Sequence, residues 1–80
     1  MLVLLPVDLN FSEWFRITRD RAGLSQQRLA EELGVTPQTI SAWERGKSNP
    51  ALDPRQTRIL CRLLSVTLDQ LADAYESDLA

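Results

Sequence analysis

Two short apolar-striped segments meet across almost no connecting chain: the first is stopped by Gly34, and the next opens at Thr36 after Val35 alone. Glycine supplies the positive φ of a sharp turn at no steric cost. Thr36 followed by Pro37 reads as an N-cap and first helical residue, where proline's fixed φ helps and its missing N–H is harmless. With so little chain between them the two helices cannot pack antiparallel and must cross steeply, as in a helix-turn-helix. With Gln26 as the first position, Ala30 falls fifth, Gly34 ninth, Ile40 fifteenth and Trp43 eighteenth. A small residue allows close approach, a glycine makes the turn, and two large apolar side chains fill the wedge between the helices.

The flanks read as helices too. Asn10 with Glu13 forms a capping box for a first helix, with Leu9 and Trp14 spaced as a hydrophobic staple. Phe11, Trp14, Phe15, Thr18 and Ala22 recur on one face, and Gly23 closes the helix. Ser25 caps the second helix, whose apolar residues are Leu29, Ala30 and Leu33, and Gly46 ends the third. Asp53, Pro54 and Gln56 repeat the pattern of cap, N1 proline and N3 amide for a fourth helix to about Leu64. Thr67 with Gln70 opens a fifth through Leu68, Leu71, Ala72 and Tyr75, expected to fray from Glu76 onward. No segment sustains strand alternation. The expectation is an all-α chain with an apolar N-terminal arm (residues 1–9), a five-helix domain (10–76) and an acidic C-terminal tail (77–80).

The inventory narrows the chemistry. Eighty residues fit one domain. The absence of histidine removes imidazole bases, histidine-assisted nucleophiles and histidine metal sites, and the single Cys61 makes neither an internal disulfide nor a thiolate site. No catalytic constellation, cofactor loop or metal cluster is expected. The longest apolar run, Met1 to Leu5, falls far short of the roughly 20 residues of a membrane span, and a cytoplasmic setting is expected. The net charge of −2 argues at first against a polyanion partner. Resolved along the chain it reverses: residues 14–63 carry 9 basic and 5 acidic groups, a local +4, residues 1–13 carry −2 and residues 64–80 carry −4.

The segment GLSQQRLAEELGVTPQTISAWERGKSNPAL, Gly23 to Leu52, closely resembles the phage repressor and Cro class of helix-turn-helix proteins, the XRE family. Arg19 and the closing SVTLDQL, Ser65 to Leu71, extend the likeness over roughly residues 10 to 75. The resemblance implies a compact, lambda-repressor-like five-helix domain that binds double-stranded DNA, with the helix from Pro37 as recognition helix. It places Gln26 near a phosphate, and Thr36 and Pro37 at the start of the reading helix. Gln38 falls where a base edge is met, and its amide can pair bidentately with adenine. Ala42 could meet a thymine methyl and Thr39 and Ser41 a base or phosphate, while Arg45, Lys47 and Asn49 match phosphate-contacting positions. Arg19 and Glu44 match a pair that forms a buried salt bridge, a structural role. Arg16, Arg28, Arg55, Arg58 and Arg62 read equally well as solubilising charge or as DNA contacts.

The chain departs from the family pattern in three places. Pro37 replaces a polar base-reading residue, the stretch from Leu52 to Val66 is longer than usual, and Ile59 with Leu63 adds an apolar pair to the fourth helix. Such proteins read two half-sites with a two-fold dimer. The expected dimer surface is therefore the arm residues Leu2, Val3, Leu4 and Leu5 together with Ile59 and Leu63, although the arm could equally cover its own core. The functional expectation is a homodimeric, sequence-specific transcriptional repressor. The alternative is a protein-interaction module of the same fold, an antitoxin or an adaptor of the transcription machinery, with a protein partner and weak or no DNA binding.

Overall fold

A computed structural model describes residues 10–79, and the expected roles of Leu2, Val3, Leu4 and Leu5 lie outside the described residues. Five helices follow one another: α1 (Phe11–Arg21), α2 (Gln26–Leu33), α3 (Pro37–Glu44), α4 (Pro54–Leu64) and α5 (Leu68–Leu79). There is no strand among the described residues.

The helix starts follow the capping chemistry of the sequence. Asn10 Oδ1 accepts from the Glu13 amide at 2.9 Å and Asp53 Oδ1 from the Gln56 amide at 2.7 Å. In each box the N3 side chain accepts the cap's own N–H in return. Ser25, Thr36 and Thr67 place their hydroxyls on the N3 amides of α2, α3 and α5. Each such bond satisfies one of the amides a helix start leaves without an intrahelical partner.

The ends of α1 to α4 share one closure. In each, a residue in the left-handed region follows the helix, and the next amide reaches back five positions: Leu24 to Arg19, Val35 to Ala30, Lys47 to Ala42 and Val66 to Cys61. This is the Schellman arrangement. Three of the four left-handed residues are glycines, and the fourth is Ser65 at φ 56°.

The helices enclose a core of Phe11, Phe15, Leu29, Ala30, Leu33, Ile40, Trp43, Leu60, Leu64, Leu71 and Ala74. Phe15 meets Trp43 edge to face at 5.7 Å between centroids, joining α1 to α3. Phe11 stacks on Tyr75 at 4.4 Å, joining α1 to α5, and the Tyr75 hydroxyl donates to the Pro50 carbonyl at 2.6 Å. The Gln56 amide caps its own helix through Oε1 and donates through Nε2 to the Leu33 carbonyl at the end of α2, fixing α4 to α2.

Several expectations change. Leu68 is 63% exposed: as the first residue of α5 it precedes the inward stripe, which runs through Leu71, Ala74 and Tyr75. Ala22 caps α1 in solvent instead of facing the core. Helix α5 continues to Leu79, so the acidic segment from Glu76 is helical where fraying was expected. Ile59 and Leu63 are half-buried against the chain's own core, which leaves only part of each for a partner. Trp14 is likewise half-buried.

Candidate nucleic-acid interface

Helix α3 divides its eight residues between two faces. Ile40, Trp43 and Glu44 point inward and are buried. Pro37 and Gln38 are exposed and Ser41 and Ala42 half-exposed. Gln38, Ser41, Ala42 and Arg45 share one stripe by their three- and four-residue spacing. Among the described residues no side chain bonds the Gln38 amide, so its donor and acceptor pair stays available for a base edge.

The threonines at the start of α3 are differently engaged. Thr36 Oγ1 accepts the Thr39 amide at 3.2 Å, and the two hydroxyls lie 2.9 Å apart in a mutual hydrogen bond. Their first role is thus to set the helix start. Pro37 occupies N1 behind this cap. Arg45, Lys47 and Asn49 are exposed beyond the C-terminal end. The closure of α3 ties the Lys47 amide to the Ala42 carbonyl at 2.9 Å, which fixes the backbone that carries the lysine. The Arg45 guanidinium reaches back to the Ser41 carbonyl at 3.4 Å through Nε. At a helix C-terminus these cations also complement the macrodipole.

Behind the outward stripe of α3 lies a buried polar cluster. Arg19 on α1 holds Glu44 on α3 in a fork, through Nε to Oε2 and through Nη2 to Oε1 at 3.1 Å. The side chains are only 13% and 3% exposed. Arg19 Nη1 also donates to the Leu24 carbonyl at 2.6 Å, in the connection between α1 and α2. Gln26 completes the cluster by donating from Nε2 to Glu44 Oε1 at 3.0 Å. The hydrogen bonds that Arg19 donates to Glu44 hold its guanidinium pKa above its ordinary value, outweighing the opposing effect of burial. The Arg19–Glu44 pair was legible from the family motif. The attachment of Gln26 was not, and it turns a residue expected at a phosphate inward through its Nε2. Its backbone N–H remains in the first turn of α2, where helix N-termini meet anions.

The candidate positions thus fall into three groups. Gln38, Ser41 and Ala42 form the outward stripe, Arg45, Lys47 and Asn49 continue it past the end of α3, and Arg19, Gln26 and Glu44 brace the helix from behind. Among the described residues there is no group of histidine, cysteine or carboxylate side chains able to hold a metal. Nor, among the described residues, is any helix long and apolar enough to cross a membrane.

Two crossed short helices with a capped, outward-facing second helix define a helix-turn-helix unit. Comparison with known proteins agrees: residues 15–53 match the family model described as "Helix-turn-helix". An "HTH-type transcriptional activator BcrR" of Enterococcus faecalis is 34% identical over 68 residues, covering 85% of this chain and 32% of that protein. An uncharacterized HTH-type transcriptional regulator of Methanothermobacter thermautotrophicus is 53% identical over 34 residues, 42% of this chain and 49% of the relative. The chain therefore spans a third to a half of the length of these relatives. Among solved structures, the clp gene regulator ClgR of C. glutamicum superposes with a TM-score of 0.64 over 96% of this chain and 97% of its own, at 19% identity, a likeness of fold. Residues 15–53 belong to the helix-turn-helix family of the phage repressor and Cro type, the XRE family, which is one of transcriptional regulators and not of enzymes.

Proposed function

We propose that the chain is a sequence-specific, double-stranded DNA-binding transcriptional regulator that acts as a homodimeric repressor, each copy laying α3 in the major groove of one half-site. The observation that carries this reading is the outward stripe of α3. Gln38 stands exposed with its amide unpaired by any described residue, on a helix capped at one end, closed at the other and braced from behind through Glu44. A helix fixed in this way offers side chains to base edges without losing order on binding. The exposed Arg45 and Lys47, within the basic stretch 14–63, supply phosphate neutralisation.

The test is titration of the protein onto labelled DNA from upstream of its own gene at two salt concentrations. A sequence-dependent shift that weakens steeply with salt is expected. Gln38→Ala should relax base preference at one position for about 1–3 kcal/mol, whereas Lys47→Ala should weaken all sequences alike and flatten the salt slope. If the two substitutions lower binding to every sequence equally, α3 is not the reading helix. If no shift occurs even at low salt, the chain is a protein-interaction module on this fold. The sign of regulation is read with a promoter reporter: lower output with the protein present is expected, and higher output would overturn repression.

A further inference from the structure

On a face that none of residues 36–49 lines, α4 and the start of α5 leave an open groove of about 480 Å³. Arg58, Cys61 and Arg62 share one stripe of α4 by their three- and four-residue spacing, on a different side of the helix from the buried Leu60 and Leu64. Leu52 before the helix and Val66 and Leu68 after it complete an apolar lining, with Leu68 63% exposed. The polar part of the lining is cationic. Helix α4 carries no acidic residue, and Asp53 and Asp69, the acids nearest in the chain, do not line the groove. Among the described residues neither guanidinium, of Arg58 or of Arg62, is held in an ion pair or a hydrogen bond. Thr57, also in the lining, donates its hydroxyl to the Asp53 carbonyl at 2.9 Å, which leaves the two arginines as the groove's open donors.

We propose that this groove binds an amphiphilic anion, an unbranched alkyl carboxylate whose chain lies on the apolar lining and whose carboxylate is taken by Arg58 and Arg62. Hydrocarbon beside two unpaired guanidiniums matches a ligand that joins hydrocarbon to a fixed anion. A guanidinium takes a carboxylate through two parallel N–H donors, and two of them one helical turn apart can share one anionic head. The chain in turn removes from water the apolar surface that Leu68 and its neighbours leave exposed. The lining runs from Leu52 to Leu68, about 16 Å along the eleven residues of α4, which suits an extended chain better than a compact ring. The volume lies within the roughly 300–1,000 Å³ of small-molecule sites. An open groove covers only one side of its ligand, so the dissociation constant expected for a ten-carbon chain is about 0.1–1 mM. The site goes beyond the DNA reading and does not depend on it.

Calorimetric titration of the full chain with decanoate, octanoate and decylammonium tests both halves of the site. Decanoate is expected to bind one to one. Octanoate should bind about four- to fifteenfold more weakly, the range for two CH₂ groups half to fully covered. Decylammonium, the same chain with the opposite charge, should bind at least tenfold more weakly than decanoate. In the double variant Arg58→Glu with Arg62→Glu the preference should reverse, with decanoate lost at least tenfold and decylammonium gained. Both arginines are exposed and without a partner among the described residues, so the variant should keep the wild-type thermal transition. Cys61 reports the location: saturating decanoate should slow alkylation of its thiol, and acetate should not. No binding of decanoate up to about 5 mM overturns the proposal. So does equal binding of decanoate and decylammonium, decanoate binding that the double variant leaves unchanged, or decanoate binding without protection of Cys61. Protection of Cys61 that grows with protein concentration in the absence of ligand would overturn it in favour of a second copy of the chain. Protection relieved by Leu4→Asp would overturn it in favour of the N-terminal segment.

Discussion

At the scale of single residues, the most consequential group is Glu44. Its buried carboxylate is compensated by the Arg19 fork and the Gln26 amide. Removing one member of such a cluster leaves a charge without its partner in a low-dielectric site, which costs more than the intact pair contributes. Glu44→Ala is expected to destabilise the fold by about 3 kcal/mol in urea denaturation, and Gln26→Ala by about 1 kcal/mol, since the fork survives it. The paired change Arg19→Met with Glu44→Leu should cost less than Glu44→Ala alone. Tyr75 makes a prediction in pH. Burial raises the phenol above its ordinary 10.0, so its contribution is fully present below that value and is lost as pH rises through the folded-state value. Thermal melts above pH 10 should show the wild type losing stability more steeply than Tyr75→Phe, which at neutral pH gives up only the hydrogen bond to Pro50, worth about 1 kcal/mol. Equal slopes for the two proteins would remove the phenol from the account. The motif register announces Arg19 and Glu44, but nothing in the chain announces Tyr75 with Pro50 or Gln56 with Leu33. Those bonds join residues more than twenty positions apart and form only once the core has brought the helices together.

At the scale of elements, the starts and stops were the most readable part of the sequence, because each depends on a few neighbouring residues. Asn10, Ser25, Thr36, Asp53 and Thr67 cap as their side-chain chemistry dictates, and Gly23, Gly34 and Gly46 adopt the positive φ their positions require. Ser65 was the hidden case, a β-carbon-bearing residue doing a glycine's work at φ 56°. A left-handed L-residue carries about 1–2 kcal/mol of strain, and glycine's larger unfolded-state entropy returns part of that. Ser65→Gly is therefore expected to raise stability by about 0.5–1 kcal/mol, measured by the denaturation midpoint at unchanged slope; a loss of stability would mean that the hydroxyl contributes something the backbone geometry does not. Helix faces were harder to place than helix ends. Leu68 shares the face of Leu71 and Tyr75 by period but lies mostly in solvent, because as the first residue of α5 it precedes the part of that face the core covers.

At the scale of the whole molecule, charge distribution matters more than its sum. A net charge of −2 coexists with a basic middle, because the acidic groups gather toward the two ends. For a DNA-binding reading this means that the phosphate-facing surface stays positive while the ends resist nonspecific adhesion to polyanions. Neutralising the C-terminal acids, Asp78 with Glu76, should strengthen binding to unrelated DNA by a few-fold at low salt and leave sequence preference unchanged, read by competition titration. A change in preference would show that the acidic end shapes the reading face itself.

The division of α3 into a buried inner face and an unbonded outer stripe also bears on how such a protein could change its target. The residues that hold the helix in place, Ile40, Trp43 and Glu44, are not the ones that would touch bases. Substitutions at Gln38, Ser41 and Ala42 alter what is displayed without disturbing what is supported, so a lineage built on this scaffold can drift to new operators one base pair at a time while remaining folded at every step.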